Sequence, residues 1–440
     1  MLDLAYPHTM AAFILERWQR AHTREDGTPD PWGDQPPSSL ALERLVAVCF
    51  QASLLREESR PVTFRLILAE PALFPCDQGP PDGLHCLRFS QPRPFNPLEA
   101  RRLSPAANFY RSLIGVCLDE KTEQPKMWGI LHSGLRWLQN VHGGRGRVQT
   151  LPPALVLSVT GPGRITVGFG SELICHTEGG TLLKQSPNVF ESKWMRETFE
   201  PTRNEQLDLI ARLRAEEGAD WPPLDPMLLR VISQHAIKRV ISALRGAHHG
   251  ATILLMPTDL RGELSDGNRY IDLKYRFAEG EPRHRFRTLV TNIVSRVCHL
   301  HAGRNTAVGW TEYALSNDAD LGDFDEAIFE MAYLIAGCAE VDGAVVLTKN
   351  FEVLGFGGEI SGELPGVVSV RQALDLEGET YEDEITQSVG TRHRSAYRLC
   401  LAVPGALAIV ISQDGAVRFV RNHRGAVTYW DQASTTSLDV

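Results

Sequence analysis

Twice in the second half of the chain, a long stretch with helical spacing runs straight into a short, wholly apolar run. "MLLRVISQHAIKRVISALRGA" sets Leu228, Val231, Ile232, Ile241 and Leu244 along one side of a helix, and "HGATILLMP" follows as a buried strand. "FDEAIFEMAYLIAGCA", with Asp323 and Glu326 in a capping-box pattern at its start, leads into the strand "DGAVVLT". "FEVLGFGGEI", the strand "ALAIVISQ", a "DG" turn and "AVRFVRN" come next. Helices alternating with apolar strands and ending in a hairpin give an α/β domain, a mixed sheet covered by helices.

The first half follows another rule. "AAFILERWQRA" and "LALERLVAVCFQASLLREE" are spaced as helices, with a Pro/Gly/Asp-rich loop between them. From about residue 60 to 195 the chain turns β-rich: "VTFRLILAE", "MWGILH", "ALVLSVT", "RITVGF" and "ELICHT" are strands separated by Gly and Pro. In "GPGRITVGFG" the glycines lie between strands, so they read as hairpin turns and not as a dinucleotide fingerprint, which needs a helix after it. The organisation expected is an α+β N-terminal domain over 1–202, a charged connecting helix and linker over 203–224, the α/β domain over 225–432, and a tail over 433–440.

A net charge of −9 argues against a nucleic-acid partner, since backbone binders are usually basic, but leaves room for a local basic pocket. The eight cysteines form no Cys-x-x-Cys pair and lie mostly in apolar runs, as buried thiols in a reducing compartment do. No apolar run is long enough to span a membrane and the start has no signal-peptide pattern, so the expectation is a cytoplasmic protein without a membrane partner.

Two short motifs can carry chemistry. Asp342-Gly343-Ala344 puts a carboxylate where a helix gives way to a strand, able to serve a metal ion or a sugar hydroxyl, beside a glycine that admits a ligand to the backbone. The same three residue types also make an ordinary turn. "GTRHRSAYRLC" offers Arg392 and Arg394 as phosphate forks, Thr391 as a hydroxyl donor and Gly390 as a tight backbone position. A helix beginning near Ser395 would add its free amides. A solvated arginine triplet would read the same way, and "EPRHRFR" repeats it at Arg283, His284 and Arg285, where it is expected to lie on the surface of a charged helix. Cys298, His299 and His301 have no spacing that fits a common metal site, His248 and His249 are expected to be structural, and "DLEGETYEDE" is expected to be a solvated acidic loop.

The order "HGATILLMP", "DGAVVL", "VLGFGGEI", "GTRHRSA" and "ALAIVISQDGAVRFV" resembles the catalytic domain of diadenylate cyclases over roughly residues 225–430. With "LSPAANFYRSLIGV", "MWGILHSGLRWLQ" and "LPPALVLSVTGPGRITV" ahead of it, the whole chain also resembles proteins described as carrying a probable sensor domain DACNV. The first resemblance implies that two ATP molecules, one on each subunit of a face-to-face homodimer, become cyclic di-AMP and two pyrophosphates with Mg²⁺ or Mn²⁺ as cofactor. It implies catalytic roles for Asp342, Arg392, His393 and Arg394, and nucleotide contacts from Gly343, Ala344, Gly357, Gly358, Ile360, Gly390, Thr391 and Ser412. It also implies metal contacts from Asp342 and Asp414. The family's Ser-Glu-Glu is Ser412-Gln413-Asp414 here, and the chain carries insertions after Pro257 and after Gly362. These departures keep a second class open: a sensor that binds ATP or a cyclic dinucleotide without turnover and passes the signal to an effector that the sequence does not name.

Overall fold

The computed structural model describes residues 6–21, 36–75, 77, 79, 84–109, 111–132, 154–169, 172–178, 180–183, 188–217, 220–246, 250–266, 269–413 and 415–432. They form two compact units, divided between Leu183 and Asn188 and not at residue 202.

The first unit contains helices α1 (Pro7–Ala21), α2 (Ser39–Ser53) and α3 (Pro97–Leu103). Its strands are β1 (Arg56–Glu57), β2 (Arg60–Pro61), β3 (Phe64–Leu68), β4 (His85–Pro94), β5 (Ser112–Leu118), β6 (Pro125–His132), β7 (Leu155–Gly161), β8 (Arg164–Phe169), β9 (Glu172–Glu178) and β10 (Thr181–Leu183). Eight of them make a sheet in the order β10-β9-β8-β7-β3-β5-β6-β4. Successive residues of a strand point to opposite faces, so Phe64, Leu66 and Leu68 join α1 and α2 in one core while Ile67 joins Trp128 and Leu113 in a smaller one. Gly161 and Gly163 do lie at the β7–β8 turn, but Gly168 is paired inside β8 and Gly170 lies outside the described residues. Strand β4 was not legible: it is a sheet edge, mostly exposed, and carries two prolines that an edge tolerates.

The second unit contains α4 (Lys193–Thr198), α5 (Glu200–Glu217), α6 (Met227–Gly246), β11 (Ala251–Met256), α7 (Arg261–Asp266), β12 (Ile271–Arg276), α8 (Glu281–Leu300), α9 (Trp310–Leu315) and α10 (Ala319–Ala339). Strands β13 (Ala344–Thr348), β14 (Val353–Ile360), β15 (Ser369–Ala373) and β16 (Tyr381–Ile385) follow, then α11 (Thr391–Ala402), β17 (Leu407–Ile411), β18 (Val417–His423) and β19 (Ala426–Gln432). A mixed nine-stranded sheet runs β12-β14-β13-β11-β17-β18-β19-β15-β16, with β11 parallel to β13 and antiparallel to β17. Its central strands are buried on both faces. Ile253, Leu255, Val345, Leu347 and Ile409 pack beneath α6, α8 and α10, and Leu254, Met256, Val346, Ala408 and Val410 pack beneath α11. The result is an α/β unit with helices on both faces of its sheet, preceded by a β-rich α+β unit.

Three expectations change. Helix α5, expected as a connector, belongs to this unit: Gln206 donates to the Thr291 hydroxyl at 2.6 Å and accepts from Arg287 at 2.9 Å, both on α8. Helix α10 begins at Ala319 with Asp318 as its N-cap, accepting from the Leu321 amide at 3.1 Å, so Asp323 and Glu326 lie inside the helix. "DLEGETYEDE" is a turn followed by a strand. The Asp375 carboxylate accepts the Glu377, Glu379 and Thr380 amides, and β16 then pairs antiparallel with β15. Burial pushes the Asp375 carboxyl up, but the Thr380 hydroxyl and those three amides outweigh it and hold the group down at about 2.

Candidate functional site

The site is built along one line of register across the sheet. Val410 pairs with Thr252, Thr252 with Ala344, Ala344 with Gly358 and Gly358 with Leu273. Because β11, β12 and β13 run one way and β14 and β17 the other, three strand beginnings and two strand endings meet at this edge. A cleft of about 990 Å³ opens there.

Glycine geometry shapes one wall. Between Ala344 and Val346, β14 carries one residue more than β13, a bulge of the kind in which a glycine takes positive φ. Gly357 supplies it at φ +65°, and Gly343 opposite stands at φ +114°. A Cβ on Gly343 would lie 2.6 Å from the Gly357 carbonyl carbon, backbone that cannot swing away. Gly343→Ala therefore forces the bulge apart. We expect a loss of about 2 kcal/mol or more in urea unfolding, together with loss of cleft ligand binding. An unchanged unfolding midpoint would show that the close approach is not needed.

The other wall is the start of α11. Its buried residues Ala396, Leu399 and Cys400 recur at helical spacing and pack on the sheet. Beneath it the buried Tyr397 hydroxyl, pushed up to about 12 by burial, accepts from Arg418 at 3.3 Å, and Arg418 pairs with Asp431 at 2.8 Å. That packing aims the first turn at the cleft. The helix begins at Thr391, not near Ser395, so the Gly-Thr-Arg-His stretch is itself the first turn, with no acidic residue in it. The first intrahelical bond found there is Arg394 N–H to Gly390 O at 3.2 Å. Helix geometry thus provides no acceptor within the helix for the amides of Thr391, Arg392 and His393, and the first turn brings the positive end of the helix dipole to the cleft.

The cleft brings together Asp342, Gly343 and Ala344, then Gly357, Gly358 and Ile360, then Gly390, Thr391, Arg392 and His393, and Ser412. Arg394 does not line it: the side chain is exposed on the next step of the helix. Asp414 lies outside the described residues, as do His248 and His249. Gln413, the departure noted in the sequence, lines the cleft, and Lys274, Thr252 and Glu359 line it without having been singled out. Gly250 was missed as well. A Cβ there would come within 2.6 Å of an Arg392 terminal nitrogen, so Gly250 is the floor across which that guanidinium lies. Lys274 sits on an edge strand that reads as charged and ordinary, and the contact of Gly250 with Arg392 joins segments far apart in sequence. Neither leaves a local signal.

The repeated triplet separates in three dimensions. Arg283 is not on the surface: its guanidinium is buried and pairs with buried Glu352 at 2.5 Å, while Arg285 is half exposed and pairs with Glu281 at 3.2 Å. His299 accepts from Trp221 at 3.4 Å and contacts the Ser295 carbonyl at 2.8 Å, so it is held as a structural side chain. Among the described residues no cluster of three His, Cys, Asp or Glu side chains is placed to hold a metal ion. A divalent cation in the cleft would have the Asp342 carboxylate, with the rest of its shell supplied by ligand phosphates and water, as Mg²⁺ commonly accepts. Among the described residues no helix is long and apolar enough to cross a membrane.

A family model described as "Probable sensor domain DACNV" matches residues 33–132. The match falls in the first unit and covers less than half of the chain. No curated protein matches the chain.

Proposed function

We propose that the second unit binds an adenine nucleotide, ATP or a cyclic dinucleotide, by its phosphates in the cleft, and that the chain works as a nucleotide sensor. The observation that carries this reading is one cleft lined by the first turn of α11, Arg392, the Gly343–Gly357 approach and Ser412. Helix amides, a forked cation and exposed backbone are what phosphate recognition needs. The family match to a probable sensor domain supports sensing over turnover. So does Gln413, a neutral side chain where the resembled cyclases carry a carboxylate. A cytoplasmic setting, where ATP is abundant and thiols stay reduced, goes with this reading.

Diadenylate cyclase is the second reading, favoured by Asp342 at the cleft beside Gly343 and facing the same space as Arg392 and His393. In it Mg²⁺ or Mn²⁺, held by Asp342 and phosphates, would spread phosphate charge. Two subunits would meet with clefts opposed, because the product joins two adenylates.

Calorimetric titration with ATP and with cyclic di-AMP, beside chromatography after incubation with ATP and Mg²⁺ or Mn²⁺, tests both. Saturable binding without product is the expected result. Cyclic di-AMP formed at a rate per subunit that rises with protein concentration, and is lost in Asp342→Asn, would establish the second reading. Absence of binding by either nucleotide would remove both.

A further inference from the structure

A second cationic cavity lies in the same unit at the other end of β13. Asp342 and Gly343 precede that strand and reach the cleft; Lys349 follows it and reaches the cavity. Arg196 from α4, Arg203 from α5, Arg230 from α6 and Arg287 from α8 line the same space over a floor of Phe199, Phe286 and Phe351. No acidic side chain lines it, and none of these five cations makes an ion pair among the described residues. The arginines instead spend donors on neutral acceptors: Arg203 on the Arg196 carbonyl at 2.8 Å, Arg230 on the Phe190 carbonyl at 3.3 Å, and Arg287 on Gln206. The Arg230 Nε is buried without a partner. Nearby carboxylates act only from a distance: Glu191 on Arg230, Glu200 on Arg203 and Asp259 on Lys349.

Such crowding is unfavourable in an empty cavity. Burial, with Arg421 beside it, holds the Lys349 ammonium down at about 8, and burial with the neighbouring arginines lowers Arg203 and Arg230. Gathering like charges over an apolar floor is understandable if an anion neutralises them. The cavity has a volume of about 60 Å³. A buried water needs roughly 10–15 Å³ of such space, so there is room for one tetrahedral oxyanion. Arg230, Lys349 and Asn350 line it with donors, Gln234 has one amide proton beyond the one given to the Phe190 carbonyl, and the Ser233 hydroxyl donates to the Leu229 carbonyl.

We infer that this cavity is a binding site for a phosphate-class oxyanion, separate from the cleft and independent of the function proposed for it. The oxyanion is either free phosphate or the phosphate of a mononucleotide whose sugar and base stay outside the cavity.

The test is titration of the full chain with inorganic phosphate, and separately with AMP, at constant ionic strength in chloride, using the Arg392→Ala background to weaken the cleft. Phosphate or AMP should bind saturably and raise the melting temperature above the chloride control. Lys349→Met keeps the side-chain volume. It should weaken that binding at least tenfold and raise the melting temperature of the ligand-free protein, because it removes an uncompensated cation; a purely structural lysine would lower it. Arg230→Gln should weaken binding likewise and serves if Lys349→Met does not fold. A stronger response to AMP than to phosphate assigns the mononucleotide, and an equal or weaker one assigns the free ion. No response beyond chloride, or a response that survives both substitutions, overturns the inference.

Discussion

Arg392→Ala is expected to weaken ATP or cyclic di-AMP binding by about 10- to 150-fold, and Arg394→Ala by less than about threefold. A hydrogen bond to a charged group contributes about 1.5–3 kcal/mol, and about 1.4 kcal/mol is tenfold in affinity. Sequence alone gives the two arginines equal claims. The structure separates them, because Arg392 lies across Gly250 into the cleft while Arg394 is exposed on the helix flank. Arg392→Lys should fall between wild type and alanine, since a lysine keeps the charge and loses the planar fork. Binding should not vanish in Arg392→Ala, because the first-turn amides of α11 remain. Calorimetry at physiological salt reads all three variants; equal losses from Arg392→Ala and Arg394→Ala would remove Arg392 from the phosphate site. Gly250→Ala should mimic Arg392→Ala, as its Cβ would displace the same guanidinium.

Much of the second unit could be read from the chain because its central strands are buried on both faces and flanked by long helices. Full burial writes a strand as an unbroken apolar run such as "ATILLM" or "AVVLT". The cleft was legible in part because its glycines and its helix start fall within short contiguous motifs. What escaped is what edges and long-range contacts decide. Strand β16 carries the sequence "YEDEI" and is exposed almost throughout, since an edge strand has little to bury. Lys274 is one charge among several on β12. The cations of the second cavity come from five separate elements, and no window of sequence unites Arg196, Arg203, Arg230, Arg287 and Lys349.

The "RHR" triplets show how the same letters come to opposite ends, and they give the last prediction. Arg283→Ala is expected to destabilise the fold by about 3 kcal/mol while leaving the nucleotide affinity of the folded protein unchanged. Arg283 sits in the first turn of α8, and Glu352 in the turn from β13 to β14, both nearly inaccessible to water. Removing one partner of a buried ion pair typically costs about 3–5 kcal/mol, because the other charge is stranded. The lower end applies because Glu352 keeps Arg261 at 2.9 Å. If stranding is the cause, Glu352→Gln introduced into the Arg283→Ala protein should recover part of the loss, because the unbalanced charge is then gone. Arg285→Ala, which breaks an exposed i,i+4 pair with Glu281, should change stability by less than about 0.5 kcal/mol. Urea unfolding of the four proteins, beside ATP titration of each, separates the roles. Arg283→Ala unfolding at the wild-type midpoint would refute the buried pair. A loss of ATP affinity matching that of Arg392→Ala, in a protein still fully folded, would mean that the α8 triplet belongs to a ligand site after all.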